Sequence, residues 1–114
     1  MLNTKSEPSL EFAIKDLFEV KPSYTDPKSS IVKTVGDSIS EVLGLKPEYV
    51  VSPGSYDQKH IDRIGKLKNC IAYGPGILEL AHQPDEFILI SDMMDSAKIM
   101  AMTISKLLNK NIIN

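Results

Sequence analysis

The feature that most constrains the fold of this chain is an apolar run, Cys70–Tyr73, that ends abruptly in Gly-Pro-Gly at positions 74–76. Glycine lets the main chain take positive φ and approach a ligand closely, and proline fixes the turn. A histidine, His82, follows shortly after this turn. The pattern predicts a strand that ends in a backbone-lined concavity, with an imidazole at its mouth.

The spacing leaves two interpretations of His82 open. Histidine is the commonest metal ligand in proteins and the usual acid or base near neutral pH, but a zinc ion needs at least two further protein ligands. A loop histidine that hydrogen-bonds a backbone carbonyl is the simpler interpretation, and the spacing by itself favours it. The neighbouring carboxylates of Asp85 and Glu86 suit acid–base chemistry, although adjacent loop carboxylates are commonly solvated or capping groups.

A second candidate site lies at positions 54–59, where a glycine precedes a predicted helix. Backbone N–H groups at a helix start, with Ser55 and Lys59 one turn apart, would suit an anion such as a carboxylate. A simple helix cap with a solvated Lys59 fits the same residues equally well.

The composition excludes several classes of protein. The 114 residues contain thirteen Lys and Arg against fifteen Asp and Glu, and they contain no tryptophan. The basic residues are scattered along the sequence, so we expect no nucleic-acid partner. No apolar run approaches the roughly 18 residues of a membrane helix, and the first eight residues lack the apolar core of a signal peptide. With Cys70 as its single cysteine, the chain is predicted to be cytoplasmic, with no membrane partner.

Helical and extended patterns alternate along the chain, which indicates a parallel sheet with helices on its faces. Ligands in such sheets bind beyond the carboxyl ends of the strands, where both candidate sites would lie. The predicted elements are one long or two short strands over 10–20, a linker over 22–27, a helix over 28–43 ending at Gly44, a strand over 48–51, a helix over 57–64, a strand ending at Gly74, an edge strand or extended segment over 87–90 and a last helix capped by Ser91. The predicted buried stripe of that last helix is Met94, Ala97, Ala101, Ile104 and Leu108.

Together these segments resemble the C-terminal portion of the M20 family of metallopeptidases, which includes acetylornithine deacetylases, succinyl-diaminopimelate desuccinylases and carboxypeptidases. Residues 54–59 are similar to the family's Gly-Thr-x-Asp-x-Arg segment, and residues 73–76 to its strand leading into Gly-Pro-Gly. Residues 81–86 match Ala-His-x-Pro-x-Glu. The resemblance runs from about Ser9 to the end of the chain and is dense between Pro53 and Asp92.

The resemblance implies roles for six residues. His82 would be a ligand of one of two zinc ions. The substrate-binding residues would be Gly54, Ser55, Lys59, Gly74 and Gly76, of which the first three would hold the substrate carboxylate. Lys59 stands where the family has arginine and so loses bidentate recognition of a carboxylate while keeping the charge. Ser55 keeps the hydroxyl of the family's threonine. No catalytic residue is expected in this segment, since the other ligands and the glutamate base belong to an N-terminal part that has no counterpart here.

The implied fold is α/β: the C-terminal part of a zinc-exopeptidase-like parallel or mixed sheet with flanking helices. Residues 1–8 would be a tail, 9–21 the last strand of a lid or dimerisation domain, 22–27 a linker and 28–114 the catalytic segment. The implied substrate is a small N-acyl amino acid or a peptide. We expect the chain to form a homo-oligomer and to be inactive without the rest of the enzyme. The alternative is a non-catalytic remnant that folds as a small, self-associating α/β module.

Overall fold

A computed structural model of the protein describes residues 13–17, 19–52, 54 and 56–112, with side chains up to residue 109. Its regular structure is helical. Helix α1 spans Ser30–Leu43, α2 spans Gln58–Arg63 and α3 spans Ile90–Ile112, and a single 3-10 turn lies at Leu78–Leu80. Among the described residues, no helix combines the length and the apolar character that crossing a membrane requires.

Helix α1 confirms the predicted helix and its predicted end. It begins two residues later than the sequence pattern indicates, after a turn in which the Ser29 N–H donates to the carbonyl of Asp26 at 2.9 Å. Gly44 follows the helix with φ 66° and ψ 15°, and its N–H donates to the carbonyl of Ser40. The left-handed conformation costs an L-residue about 1–2 kcal/mol, so glycine is the residue that ends this helix most readily.

Helices α1 and α3 pack against each other, and their buried residues are a mixture of apolar and small polar groups. Val32, Val35 and Ile99 form the apolar part, with Ile99 only 1% exposed. The buried polar residues are Thr34, Ser38, Ser96 and Thr103. At the edge of the pair, the Lys106 ammonium contacts the Glu41 carboxylate at 2.5 Å. The helix pair is therefore held by close approach of small side chains around a short apolar core.

The predicted buried stripe of α3 is wrong. Met94, Ile104 and Leu108 are 57%, 57% and 58% exposed, and Ala97 and Ala101 are exposed as well. The buried positions of α3 are Ser96, Ile99 and Thr103, which recur at steps of three and four and so share one helix face. Because α1 packs on the face that carries two hydroxyl residues, the more apolar face is left toward solvent. We call Met94, Ala97, Ala101, Ile104 and Leu108 the α3 stripe.

The described residues contain no β-strand, so the predicted parallel or mixed sheet is wrong. The predicted strand over 48–51 has no regular structure and is exposed, with Val50 at 79% and Val51 at 96%. Phe87 and Leu89, in the predicted extended segment, are 56% and 54% exposed. A strand is stabilised by a hydrogen-bonded ladder to a neighbour and by burial of one face, and none of these segments has such a neighbour within the described residues.

The predicted strand before the linker is likewise not formed in its described part. Residues 13–17 and 19–21 have no regular structure, and Ile14 and Leu17 are 92% and 84% exposed. Residues 1–12 and 18 lie outside the described residues, as does the predicted tail. Segment 22–27 is irregular up to a turn that begins at Pro27, as its two prolines predict. The division of the chain into domains at this segment stays a prediction.

Helices α2 and α3 are both close to their predicted positions, but α3 starts earlier than expected. The Met93 N–H donates to the carbonyl of Leu89 at 3.2 Å, which brings Ile90 into the first turn. Ser91 therefore lies inside the helix, and its hydroxyl donates to the Asp92 carboxylate at 3.3 Å. The prediction of Ser91 as the cap is wrong, whereas an acidic residue in the first turn is confirmed in Asp92.

Candidate functional site

His82 lies on a tight turn with a left-handed backbone. Its φ is 64°, a conformation that costs a non-glycine residue about 1–2 kcal/mol. The His82 N–H donates to Oε2 of Glu86 at 3.0 Å, and the Glu86 N–H donates to the carbonyl of Gln83 at 3.2 Å. Pro84 occupies the second position of this 83–86 turn, where its fixed φ suits the geometry. Backbone outliers held in place by surrounding bonds cluster at functional sites.

The described residues do not complete a metal site around His82. Its side chain is exposed, as an accessible ligand requires. However, no three His, Cys, Asp or Glu side chains among the described residues lie close enough together to hold a metal ion. Zinc sites in proteins use three or four protein ligands. His82 therefore fits the part of a single ligand, and the described part of the chain does not fit the whole of a zinc centre.

The predicted glycine turn lines a cavity of about 220 Å³ together with the N-terminal half of α3. Gly76 has φ 99°, which favours glycine, and a Cβ at either Gly74 or Gly76 would meet no atom within 4 Å. The carboxylates of Asp92 and Asp95 lie on the same cavity wall, and Asp95 contacts the Lys98 ammonium at 2.8 Å. Two carboxylates disfavour an anion, so local charge lends no support to carboxylate binding at Gly74 and Gly76, and that role stays a prediction.

The predicted anion-binding turn at Gly54 is braced by side chains. The Gly54 N–H donates to the Ser52 hydroxyl at 3.3 Å, and that hydroxyl donates to the Tyr56 hydroxyl at 2.9 Å. Ser55 lies outside the described residues, so its predicted contact with substrate is not addressed by the structure. The Gly54 N–H is thus engaged within the turn.

Lys59 lies on α2 and faces a larger cavity of about 540 Å³. This cavity is bounded by residues 19–23, by α2 and by the chain that follows α2, and we call it the basic cleft. On the wall of the cleft, the Lys68 ammonium contacts the Asp62 carboxylate at 2.5 Å. Lys59 is therefore placed among other charged groups, and its contact with a substrate carboxylate stays a prediction.

Thr25 and Gln58 organise this region, and the sequence alone did not single them out. The Thr25 hydroxyl lies within hydrogen-bond distance of the carbonyls of Lys68 and Cys70, the former at 2.9 Å. The Gln58 amide donates to the Thr25 hydroxyl at 3.3 Å and also to the Cys70 carbonyl. These bonds join the linker to α2 and to the apolar run. In the sequence, Thr25 is a threonine in a linker with two prolines, and nothing in that pattern shows whether its hydroxyl bonds the protein or water.

The predicted site residues are thus distributed over separate places. Gly74 and Gly76 line the smaller cavity, Lys59 lines the basic cleft, and His82 lines neither of these two cavities. Of the predicted site residues that the structure describes, Lys59 is positioned by a helix and the others by local turns, and they do not share one of these two cavities.

Comparison with known proteins gives the chain a family context. The model of the family described as "Peptidase family M20/M25/M40" matches residues 7–106. The match covers the His82 turn, the glycine turn, the Gly54 turn and most of α3. No solved structure matches the chain.

Three similar proteins are longer. A "Putative [LysW]-lysine/[LysW]-ornithine hydrolase" of Pyrococcus abyssi is 31% identical over 99 residues, which is 85% of this chain and 28% of that protein. Its counterpart in Pyrococcus horikoshii is 32% identical over 102 residues, which is 88% of this chain and 30% of that protein. The "Putative dipeptidase YtjP" of Bacillus subtilis is 30% identical over 105 residues, 89% of this chain and 21% of that protein. The chain thus spans between a fifth and a third of the length of these relatives.

Proposed function

The chain belongs to peptidase family M20/M25/M40, and we propose that it supplies the C-terminal part of a zinc-dependent hydrolase of amide bonds in N-acyl amino acids or peptides. In this role, His82 is one ligand of a two-zinc site. Lys59 and the turn at Gly54 and Ser55 hold the substrate carboxylate, and Gly74 and Gly76 are further substrate contacts, on a cavity separate from the one that Lys59 lines. The chain alone is inactive, because its described residues supply too few ligands for even one metal ion.

The observation that carries the proposal is the left-handed, braced backbone of His82. A loop histidine that only bonds a carbonyl has no need of positive φ, and glycine or asparagine would serve there at lower conformational cost. Here the strain is retained and a carboxylate from the same turn fixes the backbone. That arrangement supports a requirement for an imidazole in a defined direction.

The relatives support the general reaction more than a particular substrate. By name, two act on [LysW]-lysine or [LysW]-ornithine and one on dipeptides. These substrates contain amino acids, which agrees with a small N-acyl amino acid or peptide. Deacetylase and desuccinylase activities are specific forms of the same proposal. A cytoplasmic location stays a prediction, supported by the use of a single cysteine.

A segment exchange tests the proposed role. Residues 7–106 of this chain would replace the matching segment of the Bacillus subtilis relative, and dipeptide hydrolysis and zinc content would be measured on the chimera. We expect zinc-dependent hydrolysis. The His82→Ala chimera should lose both the activity and part of the bound zinc.

The matched control is His60→Ala, which removes the other histidine of the chain from α2. This chimera should keep its zinc. Equal zinc content and equal activity in the His82→Ala and unmodified chimeras would remove the ligand assignment. For the isolated chain, measurable zinc-dependent hydrolysis of N-acetyl amino acids would contradict the proposed inactivity.

A second candidate function is self-association without catalysis, and the exposed α3 stripe favours it. Three of its large side chains, Met94, Ile104 and Leu108, are more than half exposed. The stripe recurs at steps of three and four over 15 residues, about 22 Å of helix. Two copies of such a stripe can pack as a symmetric pair, in which each stripe covers the other.

Sedimentation of the full chain distinguishes this candidate. We expect a dimer that becomes a monomer in Ile104→Glu/Leu108→Glu, because two buried carboxylates would oppose the contact. A monomer at all concentrations before any substitution would exclude the candidate.

A further inference from the structure

The basic cleft carries a net charge of opposite sign to that of the whole chain. Five cationic side chains and two carboxylates line it, which leaves a net charge of +3 with His60 neutral, in a chain whose formal net charge is −2. The lining cations are Lys21, Lys59, Arg63, Lys66 and Lys68. Four of these cations lie within residues 59–68, and the fold adds Lys21 to them.

Local geometry brings these cations together. Lys59 and Arg63 are four residues apart on α2 and so lie on one helix face. After α2 the chain turns sharply: Lys66 has φ 56°, and the Leu67 N–H donates to the carbonyl of Ile61 at 3.4 Å. This turn places Lys66 beside the helix it has just left.

The linker supplies the remaining wall. Because the Thr25 hydroxyl bonds the carbonyl of Lys68, the chain before it is held next to α2, and Lys21 joins the cleft. Asp62 forms an ion pair with Lys68 at 2.5 Å. Glu19 is then the only other carboxylate among the described residues that line the cleft, whereas Lys21, Arg63 and Lys66 each carry a positive charge there, in addition to Lys59. An anion entering the cleft therefore meets an excess of positive charge.

From these observations we propose that the basic cleft binds a small molecule with two or more carboxylate or phosphate groups. The volume of about 540 Å³ lies within the usual range for small-molecule sites, roughly 300–1,000 Å³. Arg63 can pair bidentately with either kind of group, and the lysines act as point charges. No phenylalanine, tyrosine or tryptophan side chain is among the described residues that line the cleft, which disfavours a single-stranded nucleic acid, whose bases stack on such rings.

The inference does not rest on the proposed hydrolase function, because neither His82 nor the Gly74–Gly76 turn lines the cleft. Lys59 belongs to both proposals, so the test leaves it unchanged. A failure of anion binding would leave the chimera experiment unaffected, and loss of the zinc ligand would leave the cleft unaffected.

Calorimetric titration of the full chain with citrate and with pyrophosphate tests the proposal. We expect at least one probe to bind in the unmodified chain, more tightly than acetate, and the stronger probe identifies the group as carboxylate or phosphate. In Arg63→Gln/Lys66→Gln the affinity should fall about tenfold or more, because two positive charges next to the anion are removed. Binding should also weaken as salt is added.

Two controls accompany the titration. Lys33→Gln/Lys46→Gln makes the same charge change at exposed positions outside the cleft and should bind as the unmodified chain does. Lys21→Gln/Lys66→Gln removes two positive charges from the cleft at positions outside the helices and should also weaken binding. The proposal is overturned if neither probe binds, if acetate binds equally well, if an oligonucleotide binds in place of both probes, or if the control pair weakens binding as much as the cleft pair.

Discussion

The backbone N–H of His82 donates a hydrogen bond to Oε2 of Glu86 at 3.0 Å. A carboxylate four residues further along thus fixes the main chain of the histidine while leaving its imidazole exposed. The bond is accompanied by two backbone bonds, from Gln83 to Leu80 and from Glu86 to Gln83. Because the left-handed φ of His82 is unfavourable, these bonds have to keep the turn closed. Glu86 is therefore a positioning residue for His82.

We expect Glu86→Ala to loosen the turn around His82. Loss of one hydrogen bond of this kind amounts to about 1 kcal/mol, so the His82 amide should exchange with solvent about fivefold faster or more. Amide hydrogen exchange followed by NMR measures this directly. Asp85→Asn is the matched control, since it changes the adjacent carboxylate and leaves the acceptor in place. Similar exchange rates in the two variants would show that Glu86 does not brace the turn.

Replacing His82 itself separates backbone strain from the imidazole. Both His82→Gly and His82→Ala remove the ring, but only glycine takes φ 64° without penalty. The glycine variant should therefore hold the turn more firmly than the alanine variant, by about 1 kcal/mol. The Gln83 amide, bonded to the Leu80 carbonyl at 3.0 Å, reports this difference through slower exchange in His82→Gly. Faster exchange in the glycine variant would argue against a strained backbone at this position.

The two glycines of the 74–76 turn should respond differently to alanine. A Cβ at either position has open space around it, but only Gly76 has positive φ, 99°. Gly76→Ala should therefore shift the turn or destabilise it by about 1–2 kcal/mol, while Gly74→Ala should change little. NMR chemical shifts of residues 72–78 measure the two effects. Equal and large perturbation by both substitutions would mean that space, and not backbone conformation, sets the requirement for glycine.

Turns and helix ends were predictable because they depend on neighbouring residues. Gly44 ends α1 with the left-handed conformation expected of a C-terminal glycine, and α2 occupies most of its predicted range. The Gly-Pro-Gly turn and the chain around His82 likewise have the turn character that their residues indicate. In each case a single side chain, or the absence of one, decides the local backbone.

Strands and the buried face of α3 were not predictable in the same way. The segments at 48–51 and 87–90 have apolar character suited to a strand, but a strand needs a partner to form its ladder, and none of the described residues supplies one. The face of α3 that packs on α1 carries Ser96 and Thr103 beside Ile99. Hydrophobicity alone favours the opposite face, which carries Met94 and Ile104, and so predicts the wrong buried stripe. The sequence places four cations of the basic cleft within residues 59–68, but it does not show that Lys21 joins them, because that contact depends on how the linker folds back.

The Thr25 hydroxyl should prove necessary for attachment of the linker to α2. Thr25→Val keeps the shape of the side chain and removes the group that bonds the Lys68 and Cys70 carbonyls. We expect the linker to detach more readily, with a loss of about 1 kcal/mol, because the Lys68 carbonyl and the Cys70 N–H lose the Thr25 hydroxyl as a partner while the Cys70 carbonyl keeps the Gln58 amide. Thr25→Ser retains the hydroxyl and should behave as the unmodified chain. Protease cleavage within residues 21–27 measures detachment, and equal cleavage of the two variants would contradict this assignment.

The α1–α3 pair should depend on Ile99 far more than on any residue of the α3 stripe. Ile99 is 1% exposed, and Ile104 on the same helix is 57% exposed. The same substitution, isoleucine to alanine, therefore compares the buried face of α3 with its exposed face. Ile99→Ala should destabilise the pair by about 2–5 kcal/mol through lost burial and a residual cavity. Ile104→Ala should change the free energy of unfolding of a monomer by no more than about 0.5 kcal/mol. Thermal unfolding followed by far-UV circular dichroism, at a concentration where the chain is monomeric, compares the two. If Ile104→Ala lowers the free energy of unfolding as much as Ile99→Ala under those conditions, the α3 stripe and not the Ser96–Thr103 face forms the core. The buried face that the sequence predicts would then be the correct one.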